Sequence, residues 1–375
     1  MGVPWAAAGG VSPPAEGSVL DRRTLNRALL ARQGLLERAE LPVADAIEWL
    51  VAMQAQNPLD PYLALWSRLR GFDPAALSAL LLDRRAVRMT LMRTTLHLAT
   101  TRDAVLLRPV TQAVMERTFS SSGFGKALRG LDLAPVLELG TQLVEEEPRS
   151  TAELARILGQ RWPDRDPSAL AYAVRFLVPL VQVTPRGVWG QTMQPKVTTL
   201  RAWTGVSPAT DATADDVVLR YLRAFGPATS GDIRTWSWLT GVREIVDRLR
   251  PQLRTYRDER GRELLDVADG LFVDPETAAP VRFLPEYDNI FLSHEDRSRI
   301  TDELRWGVGF ARLGTFFVDG FLAGSWKLGG GSGKLSVTPM RGLSAAQRAE
   351  VGAEAAAVAA FLVPGSSVRI EVAGD

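Results

Sequence analysis

Between positions 18 and 278 apolar residues recur at helical spacing, and short alternating runs break in at intervals, so the chain predicts helices punctuated by hairpins. Two stretches show the same order. In one, Leu137 and Leu143 mark a helix, Ser150 and Glu153 have capping-box spacing at the start of a second, and a third is expected over about 168–180. The run VQVTPRGVWGQT follows, read as a strand, a Pro-Arg-Gly turn and a return strand. In the other, Val217 and Leu222 mark a helix, and Thr229 and Asp232 repeat the capping-box spacing. Helices near 233–239 and 242–253 then lead into LRTYRDERGRELLDV, with a charged turn at Glu259-Arg260-Gly261. Helix, helix, helix, hairpin describes a winged helix, a helix-turn-helix variant whose last helix and wing commonly meet duplex DNA. Unrelated helical hairpins stay open as the alternative, since short helices are common.

The first part of the chain reads the same way. Leu25, Leu29 and Leu30 start an amphipathic helix, and Val43, Ile47, Leu50 and Val51 trace the stripe of a second. Asn57-Pro58 breaks the chain, Asp60-Pro61 and Asp73-Pro74 open further helices, and AVRMTLMRTTLHLAT supplies a third candidate wing. Beyond about residue 279 the pattern turns to strands: VRFLPEYDNIFL, then a hairpin across Asp319-Gly320 and a glycine-rich link at 329–333. A capped helix from Ser344 to about Phe361 and a closing VRIEV complete it. The expected fold class is mainly α with β (α+β), with tandem winged-helix units over 18–122, 128–208 and 209–278, a β-rich C-terminal domain over 279–375, and a disordered tail over 1–17.

Composition then removes several chemistries. The chain has no cysteine and only two histidines, His97 and His294, which excludes disulfides, thiolate zinc sites and cysteine nucleophiles and argues against a multi-histidine metal centre. No metal or cofactor is expected. No apolar run reaches the roughly 20 residues of a membrane span, and no segment has the build of a targeting signal, so a cytoplasmic protein is expected. Net charge is only +1, but between Arg84 and Arg129 nine basic residues face only Asp103 and Glu116. A local cationic surface on a nearly neutral chain suits a polyanion; a solvated helix face with scattered arginines explains the run equally well.

The most unusual polar position is Gln54. Seven residues after Ile47 and four after Leu50, it falls on the buried stripe if that helix continues, and an amide buried there without partners costs about 1–3 kcal/mol. Gln56 follows at the break before Pro58, so both amides can face one junction between helices and wing; a capping or core hydrogen-bond arrangement is the plain alternative. Arg93, Thr94 and His97 sit together on the candidate wing, where a phosphate contact, support of the Gln site and a structural histidine are all open. Glu286, Tyr287, Asp288 and Asn289 form a polar cluster between apolar flanks, suited to bracing a cleft or to an Asx turn. Trp326, near the Asp319-Gly320 hairpin, can enter a DNA groove or close a core.

The segments MQAQNPLDPYLALWSRL, MRTTLHL, FLPEYDNIFLSHEDR and VDGFLAGSWKL, in that order, resemble the winged-helix DNA glycosylase family of the azinomycin-resistance (AlkZ) type, over nearly the whole chain after about residue 18. The resemblance implies tandem winged helices in a C-shaped concave body with a β-rich end. It implies hydrolysis of the N-glycosidic bond of bulky N7-alkylguanines, unhooked crosslinks included, and it puts the family's catalytic Gln-x-Gln motif on Gln54 and Gln56. A related branch carries an acidic residue at the second position, so two glutamines favour the self-resistance branch. Double-stranded DNA with alkylated purines is the expected partner and a monomer the expected state, since tandem units already supply several DNA-facing surfaces. A non-catalytic winged-helix DNA binder, a regulator or a lesion-binding protein, is the rival reading; it explains everything except the polar pair.

Overall fold

The computed structural model describes residues 10–301, 313–329 and 334–363, and the backbone of 370–372, as a mixed α/β fold. Helix starts follow local chemistry. Ser150 with Glu153, Thr229 with Asp232, and Ser344 with Gln347 form reciprocal capping boxes, so the helices Thr151–Arg161, Ser230–Ser237 and Ala345–Leu362 begin where the spacing predicts. Asp73 accepts from the Ala75 amide and opens Pro74–Leu82.

Ala86–Thr90 pairs antiparallel with Leu96–Thr100, and Leu253–Asp258 with Glu263–Val267, as the alternation predicts. The hairpin expected in VQVTPRGVWGQT is different. Leu180–Gln182 is a strand, but its partner is Val197–Thr199, and residues 184–190 form turns. The Tyr62 hydroxyl donates to the Gly187 carbonyl at 2.7 Å and the Trp189 ring packs 4.9 Å from that of Tyr62, which draws the connection off the sheet. Leu180–Gln182 also pairs with Ala86–Thr90. One five-stranded antiparallel sheet therefore runs Met53–Gln54, Leu96–Thr100, Ala86–Thr90, Leu180–Gln182, Val197–Thr199, joining strands expected in two separate wings.

The expectation of a structureless tail fails for residues 10–17. Gly10–Val11 pairs with Phe272–Val273, and the Gly17 amide donates to the Thr255 carbonyl at 2.8 Å, because neighbouring strand edges offer free backbone groups. The rest of that tail, residues 1–9, and most of the glycine-rich link, residues 330–333, lie outside the described residues.

Arg282–Leu284, Gly314–Val318, Phe321–Leu328 and Leu335–Pro339 form an antiparallel ladder, and Ile370–Val372 adds a parallel strand. Val351, Ala355 and Val358 of the helix Ala345–Leu362 pack with Phe283, Phe316 and Trp326 in its core. This corrects the expectation that Trp326 enters a DNA groove. It is 8% exposed, and its indole N–H donates to the Leu284 carbonyl at 3.0 Å. Two buried bidentate ion pairs, Arg32 with Asp266 and Arg68 with Asp288, tie distant segments together, and breaking such a pair costs about 3–5 kcal/mol. Among the described residues no helix is long and apolar enough to cross a membrane.

Candidate active site

The helix Val43–Trp49 ends sooner than its apolar stripe suggests. Leu50 caps it, and Val51 and Ala52 take left-handed backbone angles, φ 52° and 71°. The chain reverses into the strand Met53–Gln54, with Gln54 opposite His97. Gln54 therefore does not continue a helical stripe. On the strand it points away from Met53, which with Ala55 belongs to the apolar core, and Gln56 follows at the bend after the strand.

Asn289 holds this reversal from far along the chain. Its Nδ2 donates to the carbonyls of Ala52 at 2.7 Å and Leu50 at 3.3 Å, and its Oδ1 accepts from the Gln54 backbone N–H at 3.3 Å. Asp288, next to it, is anchored by Arg68 through bonds of 2.8 and 2.7 Å. Glu286 stands apart from Gln54, in a cavity of about 230 Å³ shared with Asn57, Asp60, Trp326 and Lys327.

The Gln54 side chain is 8% exposed, and its neighbours decide which way the amide points. Arg93 Nη2 lies 2.9 Å and Thr95 Oγ1 3.3 Å from the Oε1 position. A guanidinium only donates, so the atom facing it is the carbonyl oxygen, and Nε2 is left as a donor for something else. Arg93 also donates to the Trp236 carbonyl at 2.6 Å. Its inward course is set by the turn between Leu91 and Thr95, where Arg93 and Thr94 are left-handed at φ 55° and 56°. Burial pushes the Arg93 guanidinium down to about 10.

His97, 1% exposed, completes the cluster. Nδ1 donates to the Thr95 carbonyl at 2.8 Å, which leaves Nε2 as the lone-pair nitrogen 3.4 Å from Arg93 Nη2. Burial first, and the Arg93 charge second, drive the ring down to about 3, so it is neutral. Of the roles open to them, Arg93 and His97 take those of supporting the Gln54 site and of a buried histidine: the turn folds Arg93 inward onto Gln54, and His97, on the strand opposite Gln54, sits beside Arg93. Five of the eight non-glycine residues with positive φ among the described residues, Val51, Ala52, Arg93, Thr94 and Tyr287, lie in the three segments that meet here. Such backbone costs about 1–3 kcal/mol per residue and persists where the surroundings enforce it, commonly at functional sites.

Gln56 is exposed. It lines a cleft of about 340 Å³ with Arg88, Thr94, Tyr172, Arg175 and Arg186, while Gln54 is not part of that wall. The two amides thus differ: one is clamped, the other faces open space. Sequence reading gives Arg175 no role and treats Arg186 and Asp60 only as part of a turn and a helix start, so it places none of the three at a site. Arg88 had a signal, a lone arginine inside the apolar strand AVRMT. Asp60 is buried, and that burial, with the Glu286 charge second, pushes its carboxyl up to about 8.

A family model described as DNA glycosylase AlkZ-like matches residues 47–361, a span that holds both glutamines, the Arg93 turn and the Asn289 segment. The chain belongs to the AlkZ-like DNA glycosylase family. It is accordingly an enzyme that acts on DNA. Among solved structures, the Streptomyces sahachiroi DNA glycosylase AlkZ is similar at TM-score 0.74, covering 95% of this chain and 100% of that chain. At 19% sequence identity that likeness shows a shared fold. No curated protein matches the chain by sequence.

Proposed function

We propose that this family member is a monofunctional glycosylase that hydrolyses the N-glycosidic bond of bulky N7-alkylguanines, as adducts or crosslinks, and protects its host against a genotoxic natural product. It would work in the cytoplasm as a monomer, with winged-helix units over 18–122, 128–208 and 209–278 and a C-terminal domain over 279–375 arranged as a C-shaped body. The repeated order of helices and hairpins and the fold shared with AlkZ support that architecture. The observation that carries the chemistry is a braced segment in which Gln54 is clamped by Arg93 and Gln56, two residues on, lines a cationic cleft.

An N7-alkylguanine is already a cation. When its bond to C1′ breaks, the pair of electrons leaves with the base, which becomes neutral, and the sugar approaches an oxocarbenium ion. Water then adds at C1′ and loses a proton. Such a reaction needs placement and matched dipoles more than a strong base. In this reading Gln56 Oε1 accepts from the water and offers its negative end to the sugar. Gln54, its carbonyl taken by Arg93 and Thr95, donates through Nε2 to the water oxygen. Neither amide titrates.

Incubating the protein with duplex DNA alkylated at guanine N7 should release free adduct and leave abasic sites. Gln56→Ala should abolish release while duplex binding persists. Tight binding without any release by the native protein would remove this reading in favour of a non-catalytic lesion binder.

A further inference from the structure

We propose that the cleft beside Gln56 is a phosphodiester subsite, in which Arg175 and Arg186 bind, and Arg88 attracts, the backbone of the strand whose nucleotide stands at Gln56. The proposal rests on the reading of Gln56 as a catalytic amide, and it extends that reading to how the strand is held.

Some buried or half-buried arginines have a carboxylate, as Arg32 has Asp266, Arg68 has Asp288 and Arg220 has Asp103, and others, such as Arg93, Arg108 and Arg282, sit singly on neutral partners; this cleft differs in gathering three arginines with no Asp or Glu in its lining. The three guanidiniums here all have neutral partners. Arg88 donates to the Ala55 carbonyl at 2.7 Å and to Gln182 Oε1 at 2.9 Å, Arg175 to the Thr151 hydroxyl at 2.6 Å, and Arg186 to the Met193 carbonyl at 2.7 Å. Arg88 Nε and Arg186 Nε are buried and donate to nothing. Burial, and then the Arg186 charge, press Arg88 down to about 10. Like charges gathered without a counter-ion are unfavourable, so the fold tolerates here what an anion from outside would relieve.

The place is built rather than accidental. Gly187, at φ +95°, lets the connection close over Arg88, where a Cβ would meet Arg88 Cδ at 2.8 Å. Tyr172 is stacked on Phe124 at 4.0 Å and 8°, which gives the cleft a stiff wall. Arg88 has both terminal nitrogens engaged and acts by charge alone. Arg175 and Arg186 each have one terminal nitrogen engaged, which leaves the other to reach a ligand. One free terminal nitrogen from each guanidinium can meet one of the two non-bridging oxygens of a phosphodiester, and DNA is the substrate of the family.

The test uses undamaged fluorescent duplex, so it does not depend on excision. Arg175→Gln and Arg186→Gln should each weaken binding about tenfold near physiological salt, and each should flatten the slope of log affinity against log salt by about 0.9. Arg175→Lys and Arg186→Lys should keep the native slope, which separates charge from folding. A single methylphosphonate at the subsite position should bring the native protein down to the Gln variants, which lose nothing further. Native slopes and affinities in both Gln variants would overturn the subsite, as would Lys variants that behave like the Gln ones. Excision on the same samples keeps the two ideas apart: a native protein that releases no adduct but shows these slopes loses the glycosylase reading and keeps the subsite.

Discussion

Gln54→Glu separates two ways in which the clamped amide can serve. In the native protein Arg93 gives Gln54 Oε1 one bond of 2.9 Å, and burial alone accounts for its lowered pKa. A carboxylate at that point turns a neutral acceptor into a charged one, raising the bond from roughly 1 to roughly 1.5–3 kcal/mol. Desolvating the new charge costs several kcal/mol, so the two effects largely cancel and the melting temperature should move by only a few degrees. What disappears is the Nε2 donor. Removing one well-placed donor from a site of developing charge costs about 10²–10³ in rate. The assay is single-turnover excision with enzyme in excess, run beside a melting curve. A folded Gln54→Glu protein that excises at the native rate would show that an acceptor suffices, and would refute the amide polarity argued from Arg93.

Arg93→Met leaves the Trp236 carbonyl and the Gln54 side-chain carbonyl without their donor, so excision should fall about as far as in Gln54→Glu while undamaged duplex still binds; lost binding instead would make Arg93 a DNA contact. Asn289→Ala removes two bonds from the carbonyls that hold Val51 and Ala52 left-handed, and urea unfolding should show a loss of about 2–4 kcal/mol with excision lost as well. His97 and His294 are near 3 when folded against an ordinary 6.5, so between those values the unfolded chain holds the extra protons. Acid should therefore erode stability from pH 6.5 downward, by up to about 1.4 kcal/mol per unit for each ring. Asp60 has the opposite sign: at about 8 folded against 3.8 unfolded, the folded chain holds the extra proton, and stability falls as pH climbs toward 8. Asp60→Asn should flatten that limb in urea titrations; an unchanged limb would mean that Asp60 is already ionised in the fold.

Local signals survive the comparison between sequence and structure, and long-range ones do not. The capping boxes at Ser150, Thr229 and Ser344 are satisfied within three residues, so their spacing alone locates three helices. The end of the helix before Gln54 depends on Asn289, more than 230 residues away, and an apolar stripe carries no trace of it. Likewise the strand after Leu180–Gln182 is chosen by Tyr62 and Trp189 packing, which moves the return from the expected turn to Val197. Gln54 drew attention as an amide expected on an apolar stripe, a stripe the structure replaces with a strand, and it was the resemblance that singled out Gln54 and Gln56 as a pair. The partners that give them different environments, Arg93 for one and the arginine cleft for the other, come together only through the shared sheet.

That sheet also limits how the protein can move. Ala86–Thr90 is bonded on one side to Leu96–Thr100 and on the other to Leu180–Gln182, so a hinge between the first two groups of helices would have to tear a continuous ladder. The spacing between Gln56 on one bank and Arg175 on the other is then set before any duplex arrives. The protein then offers an anvil rather than a closing hand, and any bending needed to seat a duplex falls to the nucleic acid.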